Sequence, residues 1–170
     1  MVIGIGGVSR SGKTELAKLI KSKLNDHKVI ILSQDEYAYP IDKIPLIHNV
    51  TDWETYNSID FGLLSDDIKS AKKEYEYIIV EGFLAFHDAN LTGLYDRSIF
   101  LEIEKPVFEN RRKLDNRWEE EPEWYLDHVW CSYLKYGQMP DIQNVLTISG
   151  EGIVPINLVM AHIAVTIDLL

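Results

Sequence analysis

Gly7-Val8-Ser9-Arg10-Ser11-Gly12-Lys13-Thr14 is the stretch that most narrows what this chain can become, because it matches the spacing G-x-x-x-x-G-K-[ST] in full. Glycines at both ends let the backbone curl until successive N–H groups face one concavity, a shape that suits polyphosphate oxygens better than any single side chain. Lys13 is then placed to reach the β- and γ-phosphates and Thr14 to bring its hydroxyl to Mg²⁺, while the helix that begins here turns its positive end toward the anion. The flanks agree. Val2 to Ile5 reads as a short apolar strand entering the loop, and Leu16, Leu19, Ile20 and Leu24 recur at helical spacing after it. Strand, loop and helix in that order distinguish a phosphate loop from a chance glycine-rich turn. Residues Gly7 to Thr14 are therefore the expected contacts to a nucleoside triphosphate.

The rest of the chain repeats the alternation. Val29-Ile30-Ile31-Leu32, Ile78-Ile79-Val80, Ile99-Phe100-Leu101-Glu102-Ile103 and Val145-Leu146-Thr147-Ile148 are short apolar runs of the kind that cross a sheet covered on both faces. Helical patterns separate them: Asp60 to about Lys72, a helix opened by Pro106, one carrying Val129, Tyr133 and Tyr136 and ending near Gly137, and a terminal helix after Pro155. That terminal helix is mostly apolar, so the expectation is deep burial against the sheet. Pro40 and Pro45 mark an irregular segment from about Ala38 to Thr51. With 170 residues, 46% of them hydrophobic, the pattern predicts an α/β fold in one domain over residues 1–170: five parallel strands flanked by helices, joined by right-handed crossovers.

Charge and composition bound the partners. A formal net charge of −10 argues against nucleic acid, which requires a basic face, and is compatible with a neutral or cationic small substrate. No run approaches the length of a membrane span and the first residues enter a strand at once, so a cytoplasmic protein without a leader or membrane association is expected. Nothing calls for an obligate protein partner. The single cysteine, Cys131, reads as a packing residue of a reducing compartment.

Phosphoryl transfer needs three further parts. Glu81, ending an apolar run, is the expected carboxylate on the metal side. Asp35, at the carboxyl end of the second strand, is the expected group to take the proton of an attacking hydroxyl, with Glu36 less well placed. Arg111, Arg112, Lys113 and Arg117 form the one basic cluster, on a segment expected to act as a lid; spacing does not choose among them. His128, like His27, His48, His87 and His162, has no second ligand at a metal-binding spacing and reads as a surface or packing residue.

Taken together, the loop, Ser33-Gln34-Asp35, Val80-Glu81-Gly82-Phe83 and the run Asp127-His128-Val129-Trp130 through Tyr133-Leu134-Lys135-Tyr136 resemble the nicotinamide riboside kinases, within the uridine kinase-like P-loop kinases. The resemblance covers about residues 2 to 148. It implies a P-loop nucleoside kinase fold with a small helical lid over about 109–124, ATP and Mg²⁺, and transfer to the 5′-hydroxyl of the riboside to give nicotinamide mononucleotide, a step of NAD salvage. It also implies Asp35 as the catalytic base, Glu81 beside Thr14 at the metal, Lys13 and the arginines Arg111, Arg112 and Arg117 at the transferred phosphoryl, and Trp53-Glu54 and Trp124 around the riboside.

The chain departs from that pattern at two places. The aspartate that holds the ribose aligns with Glu54, one methylene longer, unless Asp52 takes the role by a shift in register, and the stretch between the second helix and the third strand is short. Two other functions compete. A uridine or cytidine kinase would need directed hydrogen bonds to its base, whereas a pyridinium needs flat aromatic faces. A nucleotide-dependent switch or inactive nucleotide-binding module is disfavoured: an N/T-K-x-D run is absent, Glu81-Gly82 stands where a switch has Asp-x-x-Gly, and Lys13, Thr14, Asp35 and Glu81 are all retained.

Overall fold

The computed structural model of the chain describes residues 1–115 and 122–164. Strands β1 (Val2–Gly7) and β2 (Val29–Ser33) flank helix α1 (Lys13–Lys23), and a small antiparallel hairpin of β3 (Leu46–Ile47) and β4 (Val50–Thr51) follows. Next come α2 (Phe61–Ala71), β5 (Tyr77–Glu81), α3 (Ala89–Thr92), β6 (Arg97–Glu102), α4 (Lys105–Lys113), α5 (Glu123–Tyr136), β7 (Val145–Ser149) and α6 (Ile156–Ala164). The main sheet has the order β2-β5-β1-β6-β7, and every pairing in it is parallel. Parallel neighbours cannot be joined by tight turns, so each connection crosses the sheet through a helix.

Alternation along the central strands decides the layers. Ile3 and Ile5 point to one face, where they meet Leu16, Ala17 and Ile20 of α1 and Val159 and Ile163 of α6. Val2, Ile78 and Val80 point to the other, against Leu64, Ile68 and Ala71 of α2. On that second face β1 carries Gly4 and Gly6 because aromatic rings lie flat against it: a Cβ at Gly6 would sit 2.5 Å from Phe86, and one at Gly4 would strike Tyr95. A third cluster joins Phe100 of β6 to Phe108 of α4 and to Tyr125, Val129 and Tyr133 of α5. The two strands nearest the loop are thus packed from both sides, which holds their carboxyl ends in a fixed relation.

The five strands of the main sheet and their order along the chain agree with the sequence reading, as do the helices between them except the one-turn α3 (Ala89–Thr92), which the sequence reading did not include. Local chemistry explains the α2 boundary, where the Asp60 carboxylate accepts from Leu63 N at 2.9 Å as an N-cap. The irregular segment contains a hairpin that was not foreseen; its two-residue turn, His48-Asn49, has φ of 46° and 63°, the left-handed pair of a type I′ turn. Two expectations are corrected. Helix α6 buries only Val159 and Ile163, and Leu158 is half exposed, because α6 lies against the sheet edge at β6 and β7 with one stripe inward. Cys131 is exposed on α5 rather than packed. Among the described residues, no helix is long and apolar enough to cross a membrane.

Burial sets the expected stability effects. Leu16→Ala, which empties a fully buried site beneath the sheet, should lower the unfolding free energy by about 2–5 kcal/mol. Asp60→Ala should cost about 1 kcal/mol through loss of the cap, and Leu158→Ala, half exposed on α6, should stay within about 0.5 kcal/mol. Urea unfolding monitored by circular dichroism measures all three.

Candidate functional site

The phosphate loop leaves β1 at Gly7 and enters α1 at Lys13. Two left-handed residues, Arg10 (φ 65°) and Gly12 (φ 100°), turn the chain. Gly12 occupies the N-cap position of α1 without supplying a side-chain acceptor, so the first amides of the helix remain directed at the concavity. Lys13 is buried, and its Nζ donates to Val8 O at 3.0 Å, an intraloop bond that fixes the loop's curvature. Burial lowers the Lys13 pKa, opposed by the nearby carboxylates of Glu81, Asp35, Glu54 and Glu15. A buried ammonium held mainly by a carbonyl lacks a hydrogen-bonded counter-charge, and the hydroxyl of Ser11 in the same loop is buried with no hydrogen-bond partner. Both observations fit a site shaped for phosphate.

Strand register brings the remaining chemistry to the same edge. Ser33 pairs with Glu81 across β2 and β5, and Ile5 pairs with Glu81 across β1 and β5. Glu81 is buried, and its Oε1 accepts from Ser33 Oγ at 2.8 Å and from Thr14 Oγ1 at 3.2 Å, which places the loop threonine and the strand-end carboxylate in one cluster. Asp35 lies in the short 3₁₀ turn Gln34–Tyr37 that follows β2, exposed at the cleft wall. Gln34 folds over Gly82 and accepts from Leu84 N at 2.8 Å, fastening the Asp35 turn to the turn after Glu81. Sequence reading passed over Gln34; only the contact with a glycine 48 positions away gives it meaning.

These groups line one cleft of about 600 Å³ that runs from Ser9, Lys13 and Thr14 past Asp35 and Glu81 to Trp53, Glu54 and Tyr125. The arginines separate. Arg112 lines the cleft, donates to Ser9 Oγ at 2.7 Å and lies 3.9 Å from Glu54. Arg111 instead donates to Arg10 O at 3.0 Å and to Gly150 O at 2.9 Å, bracing the phosphate loop against the chain after β7. Arg111 is thus engaged by two backbone carbonyls and is not itself among the residues that line the cleft. Arg117, and with it residues 116–121 of the expected lid, lies outside the described residues.

At the far end, Trp53 and Glu54 both line the cleft, Trp53 partly exposed and Glu54 buried. Asp52 and Glu54 differ in their partners. Asp52 Oδ1 lies 2.7 Å from His128 Nε2 and accepts from Glu54 N at 3.2 Å, so Asp52 is engaged away from the cleft while Glu54 faces it. His128, read from sequence as a surface or packing residue, is thus a polar partner of the loop. Trp124 is not among the lining residues; it meets His48 edge-on at 4.9 Å, and its neighbour Tyr125 reaches the cleft. Burial pushes the Glu54 carboxyl up to about 7; Arg112 and His128 oppose the rise, and Asp35 and Asp52 add to it.

No family model matches the chain. Individual relatives do. Nicotinamide riboside kinase 1 of Homo sapiens is 35% identical over 164 residues, covering 83% of this chain and 79% of that protein. The chain belongs to the nicotinamide riboside kinase family. The Rattus norvegicus nicotinamide riboside kinase 1 is 31% identical, with 81% and 78% coverage. A Schizosaccharomyces pombe uridine kinase is also 31% identical, but over 65% of this chain and 30% of its own length. Among solved structures, a gluconokinase from Sinorhizobium meliloti superposes with a TM-score of 0.60 at 16% identity, covering 95% of this chain and 87% of that one, a likeness of P-loop kinase fold.

Glu54 generates a pH dependence. The folded chain holds its proton more tightly than the unfolded chain, whose carboxyl has the ordinary value of 4.5. The stability carried by the neutral carboxyl is therefore complete below pH 4.5 and is lost as pH rises through 7. Glu54→Gln removes that slope, so the melting temperature of the variant minus that of the wild type should increase between pH 5 and pH 8, by roughly 5 °C. Calorimetry across that range measures it; a constant difference would mean that Glu54 ionises in the folded chain as it does in the unfolded one.

Proposed function

We propose that this chain transfers the γ-phosphoryl group of ATP to the 5′-hydroxyl of nicotinamide riboside, forming nicotinamide mononucleotide and ADP. The observation that carries the reading is the single cleft in which Lys13, Glu81 and Asp35 stand at one end and Trp53 and Glu54 at the other, in a chain 35% identical to a named nicotinamide riboside kinase.

The loop amides and Lys13 hold the β- and γ-phosphates, whose charge answers the buried ammonium. Thr14 and Glu81 would hold Mg²⁺: two hard oxygens already in one cluster leave the remaining positions to phosphate oxygens and water, as this ion prefers. When bound, Mg²⁺ neutralises charge on the phosphates. Asp35 accepts the proton of the 5′-hydroxyl as the O5′–P bond forms and the bond from phosphorus to the ADP oxygen breaks. Arg112, between Ser9 and Glu54, stabilises the charge on the phosphoryl in flight. Glu54 accepts from the ribose hydroxyls. The ring packs on Trp53 and on the first turn of α5, where Trp124 and Tyr125 present adjacent aromatic surfaces; a pyridinium gains cation–π attraction of about 0.5–2 kcal/mol per face that uridine does not.

Coupled measurement of ADP release tests the reading. Wild type should favour nicotinamide riboside over uridine in kcat/KM, and Trp53→Ala should lower that preference about tenfold. Asp35→Asn should leave ATP binding nearly intact and lower kcat by at least a hundredfold, whereas Lys13→Ala should also weaken ATP binding. A wild-type preference for uridine would make the pyrimidine kinase reading the better one, and full activity in Asp35→Asn would remove Asp35 as the base.

A further inference from the structure

The loop that carries Trp53 and Glu54 is a short excursion, and its own hydrogen bonds are local. Asp52 N donates to Pro45 O at 2.8 Å, Trp53 N to Thr51 O at 3.2 Å, and Ser58 Oγ to Trp53 O at 3.0 Å. These shape the loop from within, and its C-terminal half is also anchored: Tyr39 N donates to Ser58 O at 2.8 Å, Arg112 of α4 lies 3.9 Å from Glu54, and Tyr56 stacks on His87. The tie at Asp52, next to Trp53 and Glu54, comes from α5. His128 Nε2 lies 2.7 Å from Asp52 Oδ1, the oxygen that also accepts from Glu54 N, and both side chains are mostly buried, 18% and 14% exposed. Because a carboxylate oxygen only accepts, the imidazole N–H is the donor. Four residues earlier on the same face of α5, Trp124 meets the ring of His48 at the hairpin turn, centroids 4.9 Å apart. His48 reaches that ring from a left-handed backbone conformation (φ 46°) that few residues adopt.

We propose that His128 is a positioning residue for the riboside: through Asp52 it latches the 46–58 loop onto α5 and so fixes Glu54 and Trp53 at the cleft. His128 itself does not line the cleft. Its effect passes through one carboxylate oxygen that serves two donors, one from α5 and one from the backbone of the residue that faces the ribose. Loss of the imidazole leaves Asp52 with the Glu54 amide and loosens the middle of the loop, between the His48–Trp124 and Tyr56–Tyr136 contacts that remain, while the phosphate loop, Glu81 and Asp35, which are fastened by other contacts, stay in place. The latch rests on the proposed riboside kinase reading for its kinetic consequence and on geometry alone for its structural one.

Two measurements on the full chain test it separately. Amide hydrogen exchange in the free protein should be at least fivefold faster across 46–58 in His128→Ala than in wild type, with β1 and α1 unchanged. In steady-state kinetics, His128→Ala should raise the KM for nicotinamide riboside about tenfold while the KM for ATP stays within twofold. Asp52→Ala should act in the same direction, the double variant should be no worse than the poorer single variant, and His128→Gln, which keeps a donor, should recover most of the riboside affinity. Unchanged exchange across 46–58, faster exchange spread equally over β1 and α1, parallel increases in both KM values, additive effects in the double variant, or a Gln variant no better than Ala would each overturn the latch. Should His128→Ala fail to fold, His128→Gln and Asp52→Ala carry the same comparisons. A wild type that turns over no riboside would overturn the functional reading, and the exchange measurement would still decide the latch.

Discussion

A buried lysine at the first turn of a helix is the constraint around which the other parts are arranged. Lys13 sits among Glu81, Asp35, Glu54 and Glu15, yet its one hydrogen bond among the described residues is to a carbonyl of its own loop. Removing an ammonium from water costs several kcal/mol unless an anion replaces the water. The acidic groups offset that cost at a distance, and a polyphosphate would offset it in contact. The same carboxylates make the buried cation tolerable and line the cleft that it faces. In a chain with a net charge of −10, the cleft beside the loop still gathers cationic groups: Lys13, Lys18, Arg10 and Arg112 all line it.

What keeps the carboxylates from drifting is the parallel sheet. Ser33, Ile5 and Glu81 occupy matched positions on three adjacent strands, and three side-chain bonds, Thr14 and Ser33 to Glu81 and the Leu84 amide to Gln34, extend that register beyond the strand ends. Arg111 plays a comparable part on the other side, joining Arg10 and Gly150. The phosphate end of the cleft is thus built into the rigid core. The opposite end is built differently: Trp53 and Glu54 lie on a loop outside the main sheet, which α5 meets through His128 and Asp52.

Glu54 shows how a small sequence difference becomes a physical one. A glutamate reaches deeper than an aspartate, and here it is buried beside Arg112 at 3.9 Å. Burial outweighs the arginine and moves the carboxyl up to about 7. Asp52, which could have substituted for it, is held by His128.

The sequence alone determined the phosphate loop, the five strands, the helices between them, and the strand ends that carry Asp35 and Glu81. Those features are local: a glycine spacing, unbroken apolar runs, and the rule that ligands gather at the carboxyl edge of a parallel sheet. Gln34 over Gly82, the division of labour between Arg111 and Arg112, the pairing of His128 with Asp52, and the exposure of Cys131 and half of α6 were decided by tertiary structure. Each depends on what lies opposite a side chain, and the partner is a residue many positions away whose approach no local pattern encodes. Adjacent arginines on a helix point about 100° apart, so one enters the cleft and the other leaves it, and only the packing of α4 against the loop settles which.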